Sequence, residues 1–199
     1  MKRVILGYSF LLLSTFHILF SPLCTPRSLA MPAEDVQLIT DTQYVRTAQK
    51  MIGESKKSIY VIMFEMAFYD KYPNTPSNSL IRELIEAKKR GVKVEVILEV
   101  REGEDRTTKR NRRTGKILSQ AGIEIIYDSF SKTTHAKVMV VDGQFTLVGS
   151  TNWTYEALTN NHEVSVLIRS KEAAKETIDY FNKVKSTGSL NPAIIDSDC

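Results

Sequence analysis

Cysteine is almost missing from this 199-residue chain, with Cys24 and Cys199 its only two. Residues 1–30 read as an export leader, and losing them would leave Cys199 alone. That excludes an intrachain disulfide framework and a cysteine metal cluster, so an oxidising compartment offers only a Cys199–Cys199 link between chains. Histidine is scarce as well, at three residues, and no His/Asp/Glu cluster has metal-ligand spacing. Neither a metal nor a cofactor is expected. There is no internal repeat, so any motif present occurs once. A strong excess of positive charge is also lacking. The formal charge is +4, but Lys2, Arg3 and Arg27 fall within residues 1–30, which hold no acid, so the remainder carries +1. Capture of nucleic acid by bulk electrostatics is thereby excluded.

Lys2 and Arg3 precede an apolar run over residues 4–20, and Ser28-Leu29-Ala30 has the small-x-small form of a cleavage site. This is the pattern of a secretory signal peptide, which makes the protein periplasmic or secreted. Left uncut, residues 4–23 are long enough to act as a membrane anchor. Pro22 and Leu23 before Cys24 fit lipoprotein processing poorly. What remains has room for one domain, over residues 31–185, with residues 186–199 as a frayed tail.

Apolar spacing predicts a first helix over residues 36–54 and a buried strand over 58–64, then a Pro- and Asn-rich loop over 71–78. A second helix is expected over 79–90, ended by Gly91, and a strand over 92–100. Residues 101–120 carry seven Lys or Arg against three acids, among them Arg110, Arg112 and Arg113. Such a run is either a solvated helix or loop, or a phosphate-holding patch. Strand-like runs follow at 123–127, 135–141, 145–149 and 164–169, with a helix from 171 to about 185. The expected class is α/β, with a mixed central sheet flanked by helices on both faces.

The chemistry is concentrated between residues 135 and 163. In a strand, His135 and Lys137 share one face, and burying that lysine is costly unless an anion meets it. A phosphate would serve both residues. Asp142-Gly143 between two apolar runs is a hairpin turn signal, which explains Asp142 without catalysis. Asn152 could cap a short helix over 154–158.

Taken together, His135-x-Lys137-x4-Asp142-x6-Gly149-Ser150-x-Asn152 resembles the signature of the phospholipase D superfamily. Asn152-Trp153-Thr154 and Asn161-His162-Glu163 extend the likeness to about Tyr180. The resemblance implies that His135 attacks phosphorus to form a phosphohistidine, while Lys137 and Asn152 donate to the non-bridging oxygens. It implies that Glu163 orients the imidazole, that Ser150 helps to bind phosphate, and that Asp142 belongs to the motif, although its turn argues for a structural role. Two motif copies are needed for one site, one histidine attacking and the other protonating the leaving oxygen. With one copy per chain, the resemblance implies a homodimer whose site lies on the two-fold axis.

Small single-motif relatives include bacterial periplasmic endonucleases and membrane-anchored cardiolipin hydrolases, and neither needs a metal. The expected function is therefore that of a metal-independent phosphodiesterase, foremost a non-specific endonuclease holding DNA or RNA through Arg110, Arg112 and Arg113. The alternative is a phospholipase D cleaving phosphatidylcholine or cardiolipin headgroups in association with a membrane. A non-catalytic nucleic-acid- or lipid-binding module is the remaining reading, and the joint presence of His135, Lys137, Asn152 and Glu163 argues against it.

Overall fold

A computed structural model describes residues 31–190. The leader read at residues 1–30 lies outside them. Among the described residues, seven strands form one mixed sheet in the order β1-β7-β6-β5-β2-β3-β4. They are β1 (Asp35–Thr40), β2 (Ser58–Met63), β3 (Lys93–Leu98), β4 (Glu124–Tyr127), β5 (Lys137–Val141), β6 (Phe145–Gly149) and β7 (Val164–Arg169). The helices are α1 (Gln43–Glu54), α2 (Pro76–Lys89), α3 (Arg106–Gln120), α4 (Tyr155–Thr159) and α5 (Lys171–Lys185). β2, β3 and β4 run parallel through the crossovers α2 and α3, and every other pairing is antiparallel.

The two sheet faces bury different sets, as the pleat requires. Ile59, Val61, Met63, Val96, Met139 and Leu147 pack with residues of α1, α2 and α3 in the main core. Ile62, Ile97, Ile126 and Val138 pack around Phe181 of α5 on the other face. The expected α/β class with helices on both faces is what is seen.

Several expected boundaries move. Residues 36–40 form strand β1 instead of opening the first helix, because each pairs across to β7. Asp41, at φ 48°, then turns the chain before α1. The loop expected over 71–78 ends early, since Thr75 caps α2 by accepting from the Asn78 N–H and Pro76 occupies its first turn. The basic stretch becomes α3, capped by Asp105, which accepts from Thr108 N–H at 2.7 Å. Thr154, not Asn152, caps α4. His135 precedes β5 instead of opening it. The tail expected from residue 186 begins with a paired residue, Ser189 bridging Tyr127.

α3 does more than cover the sheet. Its buried face is a polar stripe of Thr108, Asn111 and Thr114. Asn111 Nδ2 donates to the Phe64 and Glu99 carbonyls, both at 2.7 Å, and its Oδ1 accepts from Met66 N–H. Thr114 binds Met66 O and Phe68 N–H, and Thr108 accepts from Arg101 N–H. The segment leaving β2 pairs in part with Ala136 and Trp153, and these side chains satisfy backbone groups there and after β3 that no ladder reaches.

Asp142 and Gly143 both have positive φ, 55° and 63°, as a type I′ hairpin demands. The Asp142 carboxylate accepts from the N–H groups of Lys56, Lys57 and Ser58 at 2.7–3.0 Å. Burial works to raise its pKa, but these three donors prevail and hold it below the ordinary carboxylate value. A folded-state pKa below the unfolded one stabilises above the unfolded pKa, and that stabilisation is lost as pH falls through the folded value. Asp142→Ala is therefore expected to cost about 2 kcal/mol at neutral pH, or roughly 4–8 °C in thermal midpoint. The gap to wild type should narrow as pH drops into the carboxylate range. Loss of turnover far below the midpoint would instead return Asp142 to the chemistry.

Candidate active site

His135 and Lys137 lie where β5 begins, beside the segment that leaves β2. Phe64 N–H donates to the Ala136 carbonyl at 3.1 Å, which sets the two segments side by side. The His135 ring sits 4.4 Å from the Phe64 ring, and Lys137 Nζ lies 4.7 Å from the same ring. Lys137 is buried but His135 is exposed. Lys137 Nζ donates to the His135 carbonyl at 2.7 Å and stands 3.3 Å from the ring Nδ1.

Both groups are biased toward their neutral forms. Burial, then the charges of Lys137 and Arg101, lower the His135 pKa below the ordinary histidine value. Burial lowers Lys137 as well, opposed by the Glu163 carboxylate. A lowered pKa favours the imidazole form that keeps a ring nitrogen free to attack.

Ser150 leaves β6 beside Glu163, which precedes β7. Gly149 is obligatory at this crossing, because a Cβ there would collide with the Val164 carbonyl and Ser165. Ser150 Oγ donates to Glu163 Oε2, and Asn161 Nδ2 donates to Oε1 at 3.2 Å. Asp41 fixes the Glu163 backbone in both directions, accepting from its N–H and donating to its carbonyl. Asn152 Oδ1 is buried with no hydrogen-bond partner. Next to it, Trp153 is fully buried and its indole N–H donates to Tyr44 Oη at 3.0 Å. Burial pushes that phenol up to about 12.

Of the residues read from the sequence, His135 and Lys137 adjoin one another, and Glu163 is near enough for its charge to act on Lys137. Glu163 does not contact the imidazole, since Ser150 and Asn161 occupy its oxygens. Ser150 is engaged by Glu163 instead of presenting a free hydroxyl. Asp142 lies at the far end of β5, seven residues on and roughly 20 Å away at strand rise, so it shares no phosphate with His135.

Three arginines of α3 are ion-paired. Arg110 pairs with Glu65 and Arg112 with Glu104, both at 2.6 Å, and Arg113 pairs with Asp70. Sequence reasoning missed Phe64, whose ring gathers the site, because aromatic residues in a strand read simply as core. Among the described residues, no group of three His, Cys, Asp or Glu is arranged to hold a metal ion.

The family model described as "Cardiolipin synthase, PLD-like domain" matches residues 48–185. The chain belongs to this family of phospholipase D-like domains. It is 31% identical over 124 residues to a mitochondrial cardiolipin hydrolase of Xenopus laevis, covering 62% of this chain and 52% of that one. It is 29% identical over 139 residues to a phospholipase D of Rickettsia prowazekii, covering 69% and 60%. The chain thus spans about half to three fifths of the length of these curated relatives.

Among solved structures, it resembles Nuc, a phospholipase D family member from Salmonella typhimurium. The TM-score is 0.66 at 24% identity, over 78% of this chain and 96% of that one. NucT from Helicobacter pylori matches with a TM-score of 0.62 at 16% identity, over 77% and 97%. These two likenesses concern the fold.

Lys137→Gln should raise the His135 pKa, because removing a nearby cation relieves the imidazolium. Titration of the His135 ring protons by NMR tests this. An unchanged value would mean that burial and Arg101 set it without Lys137.

Proposed function

We propose that this protein is a metal-independent phosphodiesterase that hydrolyses phosphodiester bonds through a phosphohistidine on His135, with nucleic acid as its substrate. The observation that carries the reading is the placement of His135 against the buried Lys137, whose Nζ stands 3.3 Å from the ring Nδ1. Together they offer a nucleophile and an anion partner to one phosphorus. A ring nitrogen of His135 bonds to phosphorus as the bond to the leaving oxygen breaks, and that oxygen takes a proton from a second acid. Water then attacks phosphorus, the N–P bond breaks, and the phosphomonoester departs, leaving His135 free. Lys137 Nζ and the Nδ2 amide of Asn152 serve the non-bridging oxygens in both steps.

The second acid is the His135 of another copy. An uncovered apolar sheet face supports the pairing. Val36, Leu38, Val148 and Val164 lie on the side that α5 covers only in part, and all four are exposed. The face reaches the site itself, since Val148 lines a cleft together with His135, Ala136, Val138 and Ile168. A homodimer would bury such a patch.

Because Arg110, Arg112 and Arg113 are ion-paired, the case for nucleic acid rests on the cations around Phe64 and not on α3. The phospholipase D reading draws on that same apolar cleft, which could take the glycerol end of a lipid. Export to the periplasm or beyond, from the leader pattern, accords with either substrate.

The purified protein in excess EDTA, offered plasmid DNA, single-stranded RNA and cardiolipin or phosphatidylcholine vesicles in parallel, separates the two. Nicking that His135→Ala lacks supports the nuclease, and headgroup release with intact DNA reverses the order. Residual activity of His135→Ala above about one part in a thousand would remove the nucleophile assignment. In sedimentation the active species should be a dimer, and specific activity should fall on dilution below its dissociation constant. A fully active monomer contradicts the shared site.

A further inference from the structure

Arg101 follows β3 and belongs to none of the elements, yet it joins the site through Phe64. Its guanidinium carbon lies 5.2 Å from the ring centroid that Lys137 Nζ approaches to 4.7 Å. The two cations are therefore no farther apart than those lengths laid end to end, and the His135 ring lies tilted at 56° against the same phenyl group. Arg101 also acts electrostatically on His135.

Its state of engagement differs from that of the α3 arginines. Nε meets Glu99 at 3.4 Å and Nη1 meets Asp105 at 3.5 Å, both at the weak limit of hydrogen bonding. Arg110 and Arg112 hold their acids at 2.6 Å. A guanidinium has five N–H donors, and the Arg101 side chain is 43% exposed. It is thus held in place without being saturated. Its position is fixed from behind, since its own N–H is bound by Thr108. Glu99, buried at 1% exposure, also accepts from Thr134 N–H at 2.7 Å, one residue before His135. One carboxylate therefore ties the arginine to the segment that carries the nucleophile.

We propose that Arg101 binds the phosphate next to the one being cleaved, so that the site selects diesters that carry a neighbouring phosphate. This rests on the phosphodiesterase reading and specifies its substrate. His135 and Lys137 take the scissile group, leaving Arg101 as the other cation at the Phe64 ring. Successive phosphates of one strand advance about 3.4 Å along a helix axis, within the limit that the two ring distances set on the separation of the cations. A guanidinium suits the task through its forked donors. Any substrate with two linked phosphates satisfies the same chemistry, whether a polynucleotide or a lipid with two phosphates. A lipid with a single diester does not.

The test compares two substrates with the full chain, in EDTA and at fixed ionic strength. One is a dinucleoside monophosphate containing a single diester. The other is the same molecule with terminal 5′- and 3′-phosphates. Wild type should prefer the second, and Arg101→Gln should lose about tenfold more kcat/KM on the second than on the first, the usual worth of one charge-assisted hydrogen bond. Arg101→Lys should regain part of that preference, which a fold defect would not allow. Equal losses on both substrates overturn the proposal, as does a wild type indifferent to the terminal phosphates. If folded wild type cleaves neither substrate, the nucleic-acid reading fails and takes this inference with it. Cleavage of both without discrimination at Arg101 defeats the inference alone.

Discussion

Asn111 makes three hydrogen bonds from a site with no solvent exposure, and the active-site geometry hangs on them. The loops after β2 and β3 carry Phe64 and Arg101, and a loop buried against a helix must have its backbone groups satisfied or lose several kcal/mol. Thr108, Asn111 and Thr114 provide that satisfaction at one-turn intervals along α3. The helix looks like a charged surface element, yet it functions as the bracket that sets the floor of the site. Replacing its buried amide by an apolar residue would leave a donor or an acceptor stranded on each loop it binds.

With that floor in place, the electrostatics follow from crowding. A phenyl ring has no charge to offer, but its faces attract cations, and Phe64 collects an imidazole, an ammonium and a guanidinium. Cations brought together repel, so His135 sheds its proton readily and Lys137 holds its own less firmly. Such crowding favours an anion beside the cations and the neutral form of the imidazole. The carboxylates that could discharge the site stand behind the cations. Glu163 is occupied by Ser150 and Asn161, and Glu99 by Thr134 and Arg101.

Much of this was legible in the sequence, because strands and helices with strong apolar periods declare themselves. The segments of β2, β5, β6, β7 and α5 and the Asp142-Gly143 turn could all be placed from residue types. β1 was hidden because the 36–54 segment passes from strand to helix through a single left-handed residue, Asp41, which no periodicity reveals. The proximity of His135 to Lys137 followed from alternation, but Phe64 and Arg101 approach from strands distant in sequence, and only the tertiary pairing brings them in. The pairing of Arg110, Arg112 and Arg113 was hidden for a related reason. Their counter-charges Glu65, Glu104 and Asp70 lie on other segments or before the helix, so the charge run alone does not show it.

The pairing of β1 with β7 has a consequence for the order in which the molecule can assemble. Residues 35–40 find their ladder only in residues 164–169, so the first strand has no sheet to join until nearly the whole domain has been made. The parallel unit β2-α2-β3-α3-β4 is local and can form early, whereas β5, β6 and β7 must add in succession before β1 closes the edge. Until then β6 or β7 presents an open, apolar strand to its surroundings, the kind of edge that pairs with other chains. A chain interrupted after α4 would keep His135, Lys137 and Asn152 yet lack β7, leaving β1 with no ladder and β6 as an open edge that invites association.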